Sequence, residues 1–100
     1  MTASRRDSQM EDKDYTEIIS RYLERLPAKV DELRSAVNLR EFDRIRELSH
    51  KLKGAKMFGF DSVGAISAEL EMAATRRDDI SNIINLLDRL TAEVEALKGG

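Results

Sequence analysis

ISNIINLLDRLTAEVEALK, residues 80–98, decides the fold class. Ile80, Ile83, Ile84, Leu87, Leu90, Val94 and Leu97 recur at three- and four-residue intervals. At roughly 100° per residue they share one face of a helix. Asp78 or Asp79 can start this helix, and Gly99 and Gly100 close it after Lys98, an order that suits a helix C-terminus.

The same period continues upstream. Val63, Ile66, Leu70 and Ala73 line a helix that Asp61 or Ser62 can start. Phe42, Ile45, Leu48, Leu52 and Ala55 line another, which Asn38 can cap and which ends near Gly59. Val30, Leu33 and Val37 belong to a further one. Pro27, the only proline, is tolerated in a first helical turn and is expected to break one helix and begin the next. Ahead of it, Asp14 and Glu17 resemble a capping box, with Tyr15, Ile18, Ile19, Tyr22 and Leu26 on one face. Residues 1–12 are polar, charged and without period, so a flexible tail is expected before a domain of residues 13–98. There is no strand alternation and no internal repeat. Linkers of a few residues between amphipathic helices favour antiparallel neighbours. The expected fold is therefore all-α: an antiparallel, up-and-down four-helix bundle with an additional N-terminal helix.

Composition narrows the chemistry. A chain of 100 residues holds one domain with a small core. The net charge of −2, with 36% charged residues, gives a nearly balanced field. A nucleic-acid domain usually shows a strong basic excess, so no nucleic-acid partner is expected. No cysteine and a single histidine argue against a disulfide framework or a metal site. No segment has the length of a signal or a membrane span, so a cytoplasmic protein is expected. No glycine-rich phosphate loop occurs. Any phosphate chemistry would act on a group delivered by another protein.

HKLKG, residues 50–54, holds that histidine. On the wheel of the Phe42–Ala55 stripe, His50 falls roughly 160° from the centre of the apolar arc, facing away from the core. Arg46, Lys53 and Met57 share the exposed arc, and Gly54 lies one turn beyond the imidazole. A glycine inside a helix costs about 1 kcal/mol against alanine, so it calls for a reason. Here it removes a side chain beside the ring and lets a bulky partner approach; close helix–helix contact at Gly54 is the competing explanation. A neutral imidazole is a nucleophile near neutral pH. Cations one turn away would steady the charge of a phosphoryl group. Arg46, Lys51, Lys53 and Lys56 could equally be a solvated face paired with Glu47 and Asp43. Met57 and Phe58 lie off the core stripe and suit a docking surface, or they pack against the turn that follows.

HKLKGAKMFGF on a helix of such a bundle resembles the signature of histidine-containing phosphotransfer domains, the carriers of two-component phosphorelays. The resemblance covers the chain from DYTEIISRYLERLPAKVDELRSAV through SVGAISAELEMAA to the last helix. It implies that His50 is phosphorylated on its ring, that Lys53 lies beside the phosphoryl group, and that Gly54 gives a partner access. It also implies a glutamine or glutamate on the following helix that orients the imidazole, best matched by Glu71. Gly59 follows His50 by nine residues, one fewer than is usual in the family. Either the helix end tightens or the turn shortens, and Met72 is the alternative to Glu71.

The function implied is that of a phosphocarrier. His50 would take a phosphoryl group from a receiver-domain aspartyl phosphate or a histidine kinase and pass it to another receiver. Arg46, Glu47, Lys51, Met57 and Phe58 would dock the partner, which is a response-regulator receiver or a hybrid sensor kinase. The chain would be a monomer with no cofactor and no ATP site of its own, Mg²⁺ being supplied by the receiver. The competing reading is an adaptor or inhibitor that binds a receiver or kinase without carrying phosphate.

Overall fold

The computed structural model describes residues 2–99, with side chains from Tyr15 onward. It contains four α-helices and, among the described residues, no strand: α1 (Thr2–Asn38), α2 (Phe42–Leu52), α3 (Asp61–Thr75) and α4 (Ile80–Gly99). A 3₁₀ segment, Lys53–Phe58, continues α2. Helix α1 packs on α2 and α4, and α3 packs on α2, the 3₁₀ segment and α4. The helices thus enclose one core. No helix among the described residues is long and apolar enough to cross a membrane.

The core is built from the predicted stripes. Leu26, Leu33 and Val37 enter from α1, Ile45 and Leu52 from α2, Val63 and Leu70 from α3, and Ile83, Leu87, Leu90 and Val94 from α4, all buried. Each side chain of this size contributes on the order of 1.5–3 kcal/mol when fully buried. On α4 the sequence expectation errs at one pair. Ile84 is exposed and Leu86 is buried, because Ile84 lies roughly 100° past Ile83, beyond the edge of the arc, whereas Leu86 falls closer to its centre.

Helix α1 departs most from expectation. Pro27 lies inside it, and the helix runs unbroken on both sides. The separate N-terminal helix is therefore absent, as is the helix start at Asp14. Residues 2–12, expected as a tail, fall within the bounds of α1. A mid-helix proline removes one backbone hydrogen bond and crowds the preceding turn, costing ~3 kcal/mol. Buried Leu26 and Val30 on either side of it hold the helix on course, because bending it would lift one of them from the core. Helix α1 also outruns its neighbours, spanning ~55 Å at 1.5 Å per residue, close to the 57 Å long dimension of the molecule. Tyr15 and Ile18, expected on the packed face, are consequently exposed.

The turns use a device the sequence reading did not identify. Asn38 does not cap α2; it is the last residue of α1, and Glu41 stands at the α2 N-terminus without a side-chain cap. Arg40 takes the left-handed conformation (φ 54°), and Glu41 N–H reaches back to the Ala36 carbonyl at 2.9 Å, closing a Schellman turn. Arg77 (φ 53°) does the same after α3, with Asp78 N–H on the Ala73 carbonyl at 2.9 Å. Only the third such turn uses glycine: Gly59 (φ 90°) ends the 3₁₀ segment, and Phe60 N–H bonds the Ala55 carbonyl.

Candidate functional site

The α2 stripe buries Ile45, Leu48 and Leu52 and so turns His50 outward; its side chain is 66% exposed. Two turns of 3₁₀ helix follow at once. They rise ~2.0 Å per residue against ~1.5 Å in an α-helix. The helix end has therefore tightened and lengthened, which accommodates the short spacing from His50 to Gly59. It also carries Lys53, the first residue of the segment, toward α3.

Glu71 of α3 meets both groups. Its Oε2 lies 2.6 Å from His50 Nδ1, and its Oε1 accepts a hydrogen bond from Lys53 Nζ at 2.7 Å. The Lys53 ammonium, bonded to the carboxylate, holds Glu71 below the usual carboxylate range; partial burial opposes this, and the His50 hydrogen bond adds to it. Glu71 is thus ionised at neutral pH and can only accept. The proton of the short contact must then sit on Nδ1, and the lone pair of the neutral ring is left on Nε2. A carboxylate fixes the tautomer and the orientation of an exposed imidazole. Met72, the alternative at this position, is exposed.

Arg46, Glu47 and Lys51 surround the ring with Glu71 in an open depression. Glu47 pairs with Arg44 at 3.5 Å and with Lys51 at 3.6 Å, so part of the basic face is neutralised along α2. Met57 is 80% exposed. Phe58 is not: it is half-buried and stacks on Tyr22 of α1, with centroids 4.5 Å apart. Phe60 also stacks on Tyr22, with centroids 6.1 Å apart, and Tyr15 Oη donates to the Met57 carbonyl at 3.0 Å. Phe58 therefore secures the 3₁₀ segment to α1, a contact between distant segments that helical period does not predict.

Gly54 lies in the 3₁₀ segment, and a Cβ there would meet nothing within 4 Å. Internal packing does not require it, which removes the close-contact explanation. The packing glycine is Gly64 on α3, which the sequence reading passed over. A Cβ at Gly64 would stand 3.0 Å from Lys56 Cβ, 3.2 Å from the Lys53 carbonyl oxygen and 3.3 Å from Lys56 N. The available signal was a lone glycine seven residues before Glu71, hence on the same helix face. Ser49 and Ser67 are also buried, and their hydroxyls have no hydrogen-bond partner.

Among known families, the model of the Hpt domain matches residues 17–100. No curated protein and no solved structure matches the chain.

Proposed function

The chain belongs to the Hpt domain family, and on that premise we propose that it is a phosphocarrier with His50 as acceptor. The observation that carries this reading is the exposed ring with Nδ1 engaged by Glu71 and Nε2 without a hydrogen-bond partner among the described residues. Nε2 attacks the phosphorus of a receiver aspartyl phosphate, or of a phosphorylated kinase histidine. The P–N bond forms as the P–O or P–N bond to the donor breaks, and the donor keeps that electron pair. The Nδ1 proton stays in place, and Glu71 balances the positive charge that the ring acquires. When a second receiver attacks the phosphorus, the P–N pair returns to Nε2 and a neutral imidazole leaves. Neither half of the cycle needs a proton to move, so positioning and charge supply the catalysis.

Lys53 is bonded to Glu71 and stands within reach of the phosphoryl oxygens as they arrive. Gly54 leaves room for the partner. Arg46, Lys51 and Met57 supply a mixed basic and apolar docking face, with Glu47 setting its charge; Phe58 serves it indirectly by fixing the segment that bears Met57. Mg²⁺ and the acidic pocket belong to the receiver, and ATP is used by a kinase elsewhere in the relay. The short connections between helices support an up-and-down antiparallel order, and the carrier is read as a monomer in the cytoplasm.

The test is phosphoryl transfer from a receiver domain charged with a small-molecule donor. Acid-labile, base-stable label should appear on the wild-type chain and not on His50→Gln. Label that persists in the variant places the acceptor elsewhere; no label from any cognate receiver leaves the chain as a binding module.

A further inference from the structure

Lys53 meets α3 at two points. Its ammonium bonds Glu71 at 2.7 Å. Its backbone carbonyl lies 3.2 Å from where a Cβ of Gly64 would be, well inside the ~3.5–4.0 Å of ordinary carbon contact. Gly64 and Glu71 are two turns apart on one face of α3, ~10 Å along its axis. The 3₁₀ segment therefore approaches α3 at residue 64 a few tenths of an ångström closer than a side chain there would allow. Two of the three atoms a methyl group would meet belong to the backbone, and backbone cannot swing aside as the end of a side chain can.

We propose that Gly64 is a positioning residue for the phosphoacceptor: it seats the Lys53 backbone on α3 so that Glu71 can bridge Lys53 and His50 and keep Nε2 free. This rests on the reading of His50 as acceptor, yet its consequence for the ring can be observed without any transfer. A methyl group at residue 64 pushes the Lys53–Lys56 backbone away from α3. Glu71 then has to follow Lys53 or stay with His50, and one of its two short bonds lengthens. Either outcome weakens the carboxylate's hold on the Nδ1 proton.

The experiment compares the wild type with Gly64→Ala, and with Ile83→Val as a control whose buried side chain lies in α4, away from the site. The readouts are the ¹⁵N shifts of the two His50 ring nitrogens at mildly alkaline pH, thermal unfolding, and transfer from a charged receiver. Alanine is the better helix former, so without a clash Gly64→Ala would melt higher than the wild type. The proposal expects it to melt lower, to move the ring from the Nδ1–H toward the Nε2–H tautomer, and to slow transfer about tenfold, the equivalent of one net charge-assisted hydrogen bond. Ile83→Val should melt lower with an unchanged tautomer. If Gly64→Ala alone does not fold, the same change is made with Ser67→Ala, which removes a buried hydroxyl without a partner and raises stability. Wild-type ring shifts in the folded variant overturn the proposal whatever the transfer rate. Shifted rings, together with no transfer to the wild type from any receiver, would uphold the positioning role and overturn the phosphocarrier reading instead.

Discussion

Glu71→Gln isolates the charge of the bridging carboxylate from its shape. In the native site two donors, the Nδ1–H of His50 and the Lys53 ammonium, share the two oxygens at 2.6 and 2.7 Å. A glutamine offers one accepting oxygen and one donating NH₂, so one of the two donors loses its acceptor. The ammonium is the stronger claimant. With the amide oxygen on Lys53, the NH₂ faces Nδ1 and is satisfied only by a lone pair there. The ring proton is then driven to Nε2, the nitrogen that has to attack phosphorus. A hydrogen bond to a charged group contributes about 1.5–3 kcal/mol. The imidazole is 66% exposed, so water competes and ~1 kcal/mol is the appropriate figure. That is about fivefold in the tautomer ratio, which sets the upper limit on the loss of transfer rate if only the Nδ1–H form reacts. Initial rates of label transfer from a charged receiver should fall by no more than this factor, with a matching change in the ¹⁵N shifts of the ring. The reasoning is refuted if Glu71→Gln transfers at the wild-type rate with a wild-type tautomer. A fall of several hundredfold would refute it from the other side, since the carboxylate would then act on the phosphoryl group itself.

Three further outcomes follow from the same geometry. Because the Glu71 carboxyl titrates below its unfolded value, its contribution to stability is fully present above about pH 4.3 and is lost as the pH falls through the lower folded value. Urea unfolding between neutral and strongly acidic pH should show a shallower acid loss in Glu71→Gln, and an identical profile would mean the pair adds nothing to the fold. Gly54→Leu should keep the far-UV dichroism, since nothing lies within 4 Å of a Cβ there, while slowing transfer on the order of 10²-fold by displacing the partner; a collapsed spectrum would show that the site is packed. Arg40→Gly relieves a left-handed residue (φ 54°) whose cost is ~1–2 kcal/mol, partly offset by the greater freedom of glycine in the unfolded chain. It should raise the melting temperature by a few degrees, and a lower melting temperature would show that the arginine side chain holds the turn.

Much of this molecule is legible along the chain. The apolar period gave α3 and α4 nearly their observed bounds, and it turned His50 outward because one wheel fixes both the buried and the exposed arc. It overran at Tyr15 and Ile18, since period says which face is apolar but not whether a neighbour is long enough to cover it. Pro27 misled for a related reason: its local cost is real, but packing of Leu26 and Val30 on either side is decided by the rest of the core. Arg40 and Arg77 hid two turns because their residue type carries no turn signal, in contrast to Gly59.

The sequence by itself determined four things: a helical chain, an apolar face on each helix, a solvent-facing imidazole, and a glycine one turn beyond it. Those follow from angles within one helix, which neighbouring residues set. Tertiary structure alone decided that Glu71 and not Met72 meets His50, that the same carboxylate holds Lys53, that Phe58 turns inward onto Tyr22, and that Gly64 is the glycine on which packing depends. Each of these joins two separate segments. Their meeting depends on the rise and rotation of the 3₁₀ turns and on how closely α3 can approach them, quantities that no single helix period contains.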